Sequence, residues 1–452
     1  MTKTSAEFAG RHSARFANFA LCLAFVGAAA MLYYHQGLFV PRALESRAAR
    51  HLDGGYAFGN DFYQIWLTSR EWRRHRIDPY SDEATREIQV GLYGRTLDSR
   101  LSGDPKDQRR FPYPAFVDLL FWPAAQLPFS VARVVVLFCL LAFTLASVWL
   151  WMKVLAWQSN WQWTLAVFLL VLTSYPVLEG LYAGQIGLIV ALLLPASILS
   201  LQRGKLLLSG LLLALTLIKP QVTVLAASYL LLWSFDDLRR RGRFWVGFLA
   251  TAIALVASAM LVWPRWLVSW FHLLAAYRGY NPPPLFNLVL ASLRVPSSIS
   301  LVLSAVLLVA GIVLGWQMRR VVPDSLEFEL TLSLLLAVTT VVVLAGQAVY
   351  DHIILLPGIL LLASRLARFS SNWIHKAVVT AGAAVLLWPW FASMLVIAMR
   401  PFLSHQMFYS RAVFYLPIYL AVVFPFLVLA SLALALRAER VAGGASGISV
   451  SS

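Results

Sequence analysis

Apolar runs of membrane length recur along almost the whole chain, separated by short polar or proline-bearing breaks. Each run is near the roughly 20 residues that cross a bilayer as helix, which predicts about twelve spans. They fall near 17–38, 132–157, 161–180, 185–202, 205–219, 221–235, 244–263, 298–318, 328–347, 352–366, 377–398 and 412–436. Residues 115–128 form a shorter apolar piece cut by Pro123 and Pro128, expected to be re-entrant or interfacial. Two stretches break the apolar pattern. In 39–113, Phe62 to Arg76 is amphipathic and is expected to lie flat on the membrane until Asp78-Pro79 stops it. Residues 94–110 are charged and expected to be mobile, and Phe111-Pro112-Tyr113-Pro114 returns the chain as a stiff extended piece. In 264–297, Trp266, Trp270, Leu273, Leu274 and Tyr277 mark a second interfacial helix. The expected fold is an all-α polytopic membrane protein: one transmembrane domain over 1–440, then a Gly/Ser-rich tail, 441–452, expected to be disordered.

Composition agrees, with 60% hydrophobic residues and a mean hydropathy of +0.72. The net charge of +16 would suggest nucleic acid in a soluble protein. Here the basic residues cluster in the first loop and at helix ends, so membrane lipids are the expected partners and nucleic acid is not. A phosphate-bearing substrate is the sharper explanation. Lys and Arg in the short loops, notably Arg239-Arg240-Arg241 and Arg319-Arg320, put both termini in the cytoplasm and 39–113 outside. Cys22 and Cys139 lie in apolar runs and are expected to be packing residues. No metal-ligand motif is present, so no cofactor is expected.

This topology gathers Asp61, Arg109, Arg110, Tyr113, Glu179, Gln185, Lys219, Asn281, Asn287, Gln347, Asp351 and His352 on one rim. Polar residues at membrane boundaries are costly and usually mark function. Each also has a plainer duty. Asp61 fits a helix cap as well as a catalytic base. Lys219-Pro220 fits a turn with a snorkelling lysine as well as a buried phosphate ligand. Gly184-Gln185 fits a helix start, Asp351 a cap, and Asn281 before three prolines a loop constraint. Together, a carboxylate, cations and amides suit a phosphorylated, hydroxyl-rich substrate.

An ordered set of short motifs resembles the integral-membrane glycosyltransferases that use polyprenyl-phosphate sugars, the GT-C class, and is most similar to glycosyltransferase family 87. The pieces are Asn60-Asp61-Phe62-Tyr63 with Asp78-Pro79-Tyr80, then Phe111-Pro112-Tyr113-Pro114-Ala115. Gly184-Gln185-Ile186-Gly187-Leu188, Ser209-Gly210-Leu211 running to Ile218-Lys219-Pro220, and Asp351-His352 follow. The resemblance implies a GT-C-like fold with Asp61 and His352 as catalytic residues. It implies Lys219, Gln185, Arg110, Tyr113, Asn281 and Asp351 as substrate-binding residues. The implied reaction is inverting transfer of a hexose, mannose foremost, from a polyprenyl-phosphate donor to a lipid or glycan acceptor. It would run at the outer, periplasmic face of the cytoplasmic membrane. No obligatory metal is implied, although Asp61 with Asp351 offers a weak divalent site. The rivals are a lipid-linked-sugar flippase or transporter, and a surface-glycan polymerase or ligase.

Overall fold

The computed structural model describes residues 3–448 apart from 53, 99, 102, 278 and 370–372. Among the described residues the fold is all-helical, with a lone bridge between Pro284 and Ala345. The N-terminal helix α1 (Lys3–Tyr33) passes through a π-helical turn, Tyr34–Phe39, into α2 (Val40–Ala48). The first polar stretch holds α3 (Asn60–His75) and α4 (Asp82–Tyr93), and α5 (Phe116–Ala125) follows. The body continues with α6 (Phe129–Val154), α7 (Trp161–Leu172), α8 (Tyr175–Ala183), α9 (Gly187–Gln202), α10 (Leu206–Leu215), α11 (Val224–Phe235) and α12 (Leu238–Val262). The second polar stretch holds α13 (Trp266–Tyr277) and α14 (Leu285–Ser292), ahead of α15 (Ser297–Gln317) and α16 (Leu326–Val342). A 3-10 turn, Val349–Leu355, leads into α17 (Leu356–Ser364) and the short α18 (Leu366–Phe369). The chain closes with α19 (Trp373–Met399), the single turns α20 (His405–Phe408) and α21 (Arg411–Phe414), and α22 (Phe424–Ile448).

The structure does not reproduce twelve spans. Among the described residues six helices are long and apolar enough to cross a membrane, or seven if α7 and α8, bent by 53°, count as one broken span. The apolar runs of 185–235 are helical but interrupted at Gly184-Gln185 and at Lys219-Pro220. That leaves α9 with 16 residues and α11 with 12. At 1.5 Å per residue these span roughly 24 and 18 Å, short of a hydrocarbon layer about 30 Å thick. Such broken helices are tolerated where their ends face protein or a cavity rather than lipid. α16 is likewise internal: every residue from Phe328 to Val342 is buried, the polar Glu329, Thr331, Ser333, Thr339 and Thr340 included.

Close packing explains several small residues. A Cβ on Gly210 would meet the Phe244 carbonyl at 2.0 Å and one on Gly247 the Leu207 carbonyl at 2.1 Å, so α10 and α12 touch backbone to backbone. Ser197 and Ser209 each donate to the other's carbonyl at 2.8 Å, tying α9 to α10. Cys22 and Cys139 are not packing residues; both are exposed, on faces that would meet lipid.

The first polar stretch differs most from expectation. α3 does not lie flat on a surface: Asp61 through Ser69 are all buried. Thr68 and Ser69 donate to Asp118 on α5, and Tyr63 and Trp66 pack around Phe129 on α6. Only its basic C-terminal turn emerges, with Arg73 stacked 4.4 Å over Trp122 and Arg76 4.7 Å over Trp72. Residues 94–110, expected to be mobile, are instead stitched together. Arg95 pairs with Asp104, whose carboxyl that bond holds down at about 2. Gln89 accepts from the Leu97 amide and donates to the Gln108 carbonyl. α22 continues to Ile448, through most of the tail expected to be disordered.

Candidate active site

Residues expected on one rim share one cavity of about 590 Å³. Asp61, Arg110, Tyr113, Gln185, Lys219, Asn281 and Asp351 all line it, joined by Arg109, Asp107, Glu179, Tyr277, Gln347 and Tyr350. Two breaks in helix and one clamp between helices make this possible. The α8–α9 junction turns at Gly184, where φ is +71° and a Cβ would lie 2.7 Å from that of Phe62. The Gly59 amide donates to the Tyr182 carbonyl at 2.8 Å, clamping the start of α3 to the end of α8. Lys219 sits between two 3-10 turns ahead of Pro220, in non-helical backbone, and its side chain lines the cavity.

Asp61 does not cap its helix. Gly59 occupies the cap position without any side-chain cap bond, and both carboxylate oxygens of Asp61 serve other partners. Arg109 Nη1 donates to Oδ1 at 3.0 Å and Gln185 Nε2 donates to Oδ2 at 2.6 Å. Lys219 Nζ donates to Gln185 Oε1 at 2.9 Å and to Asp351 Oδ1 at 2.7 Å, and lies 4.7 Å from the centre of the Tyr350 ring. The result is one buried chain, Arg109–Asp61–Gln185–Lys219–Asp351. Its polarity is fixed. Lysine can only donate, so the Gln185 oxygen must face Lys219 and its NH2 must face Asp61, which accepts on both sides. Gly187 leaves room for this chain, since a Cβ there would meet Asp351 Oδ1 at 2.4 Å.

The two arginines divide their work in a way the sequence did not signal. Arg109, held at φ +54°, reaches Asp61 and also the Tyr93 hydroxyl at 3.1 Å. A non-glycine residue in the left-handed region costs of order 1 kcal/mol, and such strain clusters at functional sites. Arg110 lines the cavity while pairing with the exposed Asp82 at 3.1 Å. Tyr113 is positioned by its neighbours, its carbonyl accepting from the Tyr80 hydroxyl at 2.9 Å and the preceding Pro112 carbonyl from Trp270 Nε1 at 2.9 Å. Burial, reinforced by the nearby Asp61 and Asp351 carboxylates, holds the Tyr113 phenol well above its ordinary range, so it is a donor at neutral pH. Asn281 accepts from Gln347 at 3.0 Å across the cavity mouth. Asn287 stands apart, bonded to Ser300 and Ser304 on α15.

His352 does not join the polar cavity. It lines a separate apolar cavity of about 260 Å³ with Tyr175, Pro176, Ile353, Leu356, Trp390 and Phe424 among others. The cause is the local helix type. With about three residues per turn, consecutive side chains on a 3-10 turn diverge by roughly 120°. Tyr350 and Asp351 therefore face the polar cavity while Val349 and His352 face the apolar one, and one turn of backbone separates the two. Asp61 and Asp351, the pair weighed for a weak divalent cation, are engaged separately, by Arg109 with Gln185 and by Lys219. Among the described residues no group of three or more His, Cys, Asp or Glu could hold a metal ion.

The family model for glycosyltransferase family 87 matches residues 111–346, just over half of the 452-residue chain. No curated protein and no solved structure matches. The matched range contains Tyr113, Gln185, Lys219 and Asn281, whereas Asp61, Arg109, Arg110, Asp351 and His352 lie outside it. Hydrogen bonds join the two sets, through Gln185 to Asp61 and through Lys219 to Asp351.

Proposed function

The chain belongs to glycosyltransferase family 87, and from this membership we propose that it moves a hexose, mannose foremost, from a polyprenyl-phosphate donor to a lipid or glycan acceptor. The observation that carries the proposal is the adjacency of two chambers. A polar cavity lined by four carboxylates and three cations abuts an apolar cavity across the short 3-10 segment Val349–Leu355. A donor with a sugar phosphate at one end and an isoprenoid tail at the other needs such a pair. We place the tail on the His352 side and the sugar on the Asp61 side.

In this reaction Asp61 takes the proton of the acceptor hydroxyl. The acceptor oxygen bonds to the anomeric carbon as the bond from that carbon to the phosphate oxygen breaks. Attack comes from the face opposite the phosphate, so configuration inverts. One base suffices, unlike the two-carboxylate arrangement of glycoside hydrolases. The electron pair leaves on polyprenyl phosphate, whose charge Lys219 and Arg110 stabilise by donated hydrogen bonds. Arg109 and Gln185 hold the base in place. The cavity faces the outer side of the cytoplasmic membrane in this proposal, with both termini inside.

The test is a choice of donors. Protein purified into liposomes receives radiolabelled mannose either as polyprenyl-phosphate mannose or as a nucleotide sugar, with octyl α-mannoside as acceptor. Labelled product is expected only from the lipid-linked donor. Product from the nucleotide sugar alone would contradict the proposal.

A further inference from the structure

Of the carboxylates that line the polar cavity with Asp61, Glu179 has no part in the mechanism. Glu179 on α8 lines the chamber with Asp61, and 24% of its side chain is accessible. Its Oε1 lies 3.0 Å from Nε2 of His35, which is wholly buried. Gln36 supplies its NH2 to the other ring nitrogen, Nδ1, at 3.0 Å. With Nδ1 accepting, Nε2 carries the proton and donates to Glu179. The imidazole is itself fixed by rings, with Phe39 5.8 Å, Tyr175 6.1 Å and Tyr182 6.2 Å away between centroids.

Two features argue against a merely structural pin between α1 and α8. First, a carboxylate kept largely from water and met by His35 and the Tyr175 hydroxyl rather than by a lysine or arginine is expensive, and polar groups of this kind in membrane proteins mark substrate paths. Second, His35 lies in the π-helical turn Tyr34–Phe39, an irregularity of α-helices found frequently at functional sites. We propose that Glu179, oriented by His35, accepts hydrogen bonds from the hydroxyls of a hexose bound in the polar cavity. A sugar offers donors in quantity, and hydrogen bonds to a charged acceptor are roughly twice as strong as neutral ones. Glu179 is then a recognition residue, distinct from the base Asp61, and His35 is its positioning residue.

The proposal rests on the glycosyl-transfer reading, and its test separates the two. Initial rates are measured with polyprenyl-phosphate mannose and octyl α-mannoside. In Glu179→Gln, which keeps size and loses charge, one of the two KM values is expected to rise by about tenfold or more while kcat holds within a few-fold, as for loss of a charged hydrogen bond worth over about 1.4 kcal/mol. A rise for the lipid donor assigns Glu179 to the transferred hexose; a rise for octyl mannoside assigns it to the acceptor. His35→Ala should raise the same KM and add little to Glu179→Gln. Both KM values unchanged, or a loss confined to kcat, would overturn the assignment. Direct binding of methyl α-mannoside, followed by the fluorescence of Trp270 in the cavity wall, reads Glu179 without any transfer. Wild type should bind it about tenfold more tightly than Glu179→Gln. Absent or equal binding overturns the assignment, whereas binding without transfer from the lipid donor leaves Glu179 in place and removes the donor.

Discussion

Asp61→Asn is expected to lower the transfer rate by roughly two to four orders of magnitude, the usual loss when a general base is removed. It should also destabilise the protein measurably, because asparagine cannot reproduce the bonds of aspartate here. Arg109 and Gln185 both donate to Asp61. An asparagine offers one acceptor and one donor, so its NH2 must face another donor. Turning the Gln185 amide to compensate would set its NH2 against Lys219, which also donates. One buried bond is lost in every arrangement, costing about 1–3 kcal/mol. Thermal unfolding in detergent and single-turnover transfer check the two halves separately. Near-normal transfer would remove Asp61 from the chemistry.

The second large effect concerns Lys219. Its salt bridge with Asp351 is buried at both ends, with side-chain exposures of 6% and 2%. Breaking a buried pair by removing one partner typically costs about 3–5 kcal/mol, because the other charge is left unpaired. Lys219→Met alone should therefore be strongly destabilised as well as inactive, and its inactivity would say little. The informative variant is Lys219→Met with Asp351→Asn, which removes both charges. Stability should largely return while transfer stays lost, since the donor phosphate still lacks its cation. If transfer returned with stability, Lys219 would be a structural residue only. Thermal unfolding and donor-dependent rates on the same preparations decide it.

Much of the chamber was legible because its residues are expensive where they stand. Lys219 before a proline, Gln185 after a glycine and Asp61 beside an apolar helix are anomalies against a lipid-soluble background. Partnerships were not legible. Which of Arg109 and Arg110 reaches Asp61 depends on a left-handed backbone at Arg109. That Asp351 and His352 diverge depends on a 3-10 turn, which hydropathy does not distinguish from an α-helical start. Glu179 is separated from the neighbours His35 and Gln36 by α2 to α7 along the chain and meets His35 only by packing. The twelve apolar runs outnumber the described helices long enough to span, because apolar runs report burial in protein as readily as burial in lipid. α16 is the plainest instance, mostly apolar and buried from Phe328 to Val342.

The central claim is spatial: sugar phosphate and lipid tail occupy the two chambers on either side of the Val349–Leu355 turn. An experimental density map of the purified protein with polyprenyl phosphate bound tests it most directly. The phosphate is expected within hydrogen-bond distance of Lys219, with the first isoprene units running past His352 and Trp390 into the apolar cavity. A phosphate bound instead among the arginines of 239–243, with both chambers empty, would contradict the account.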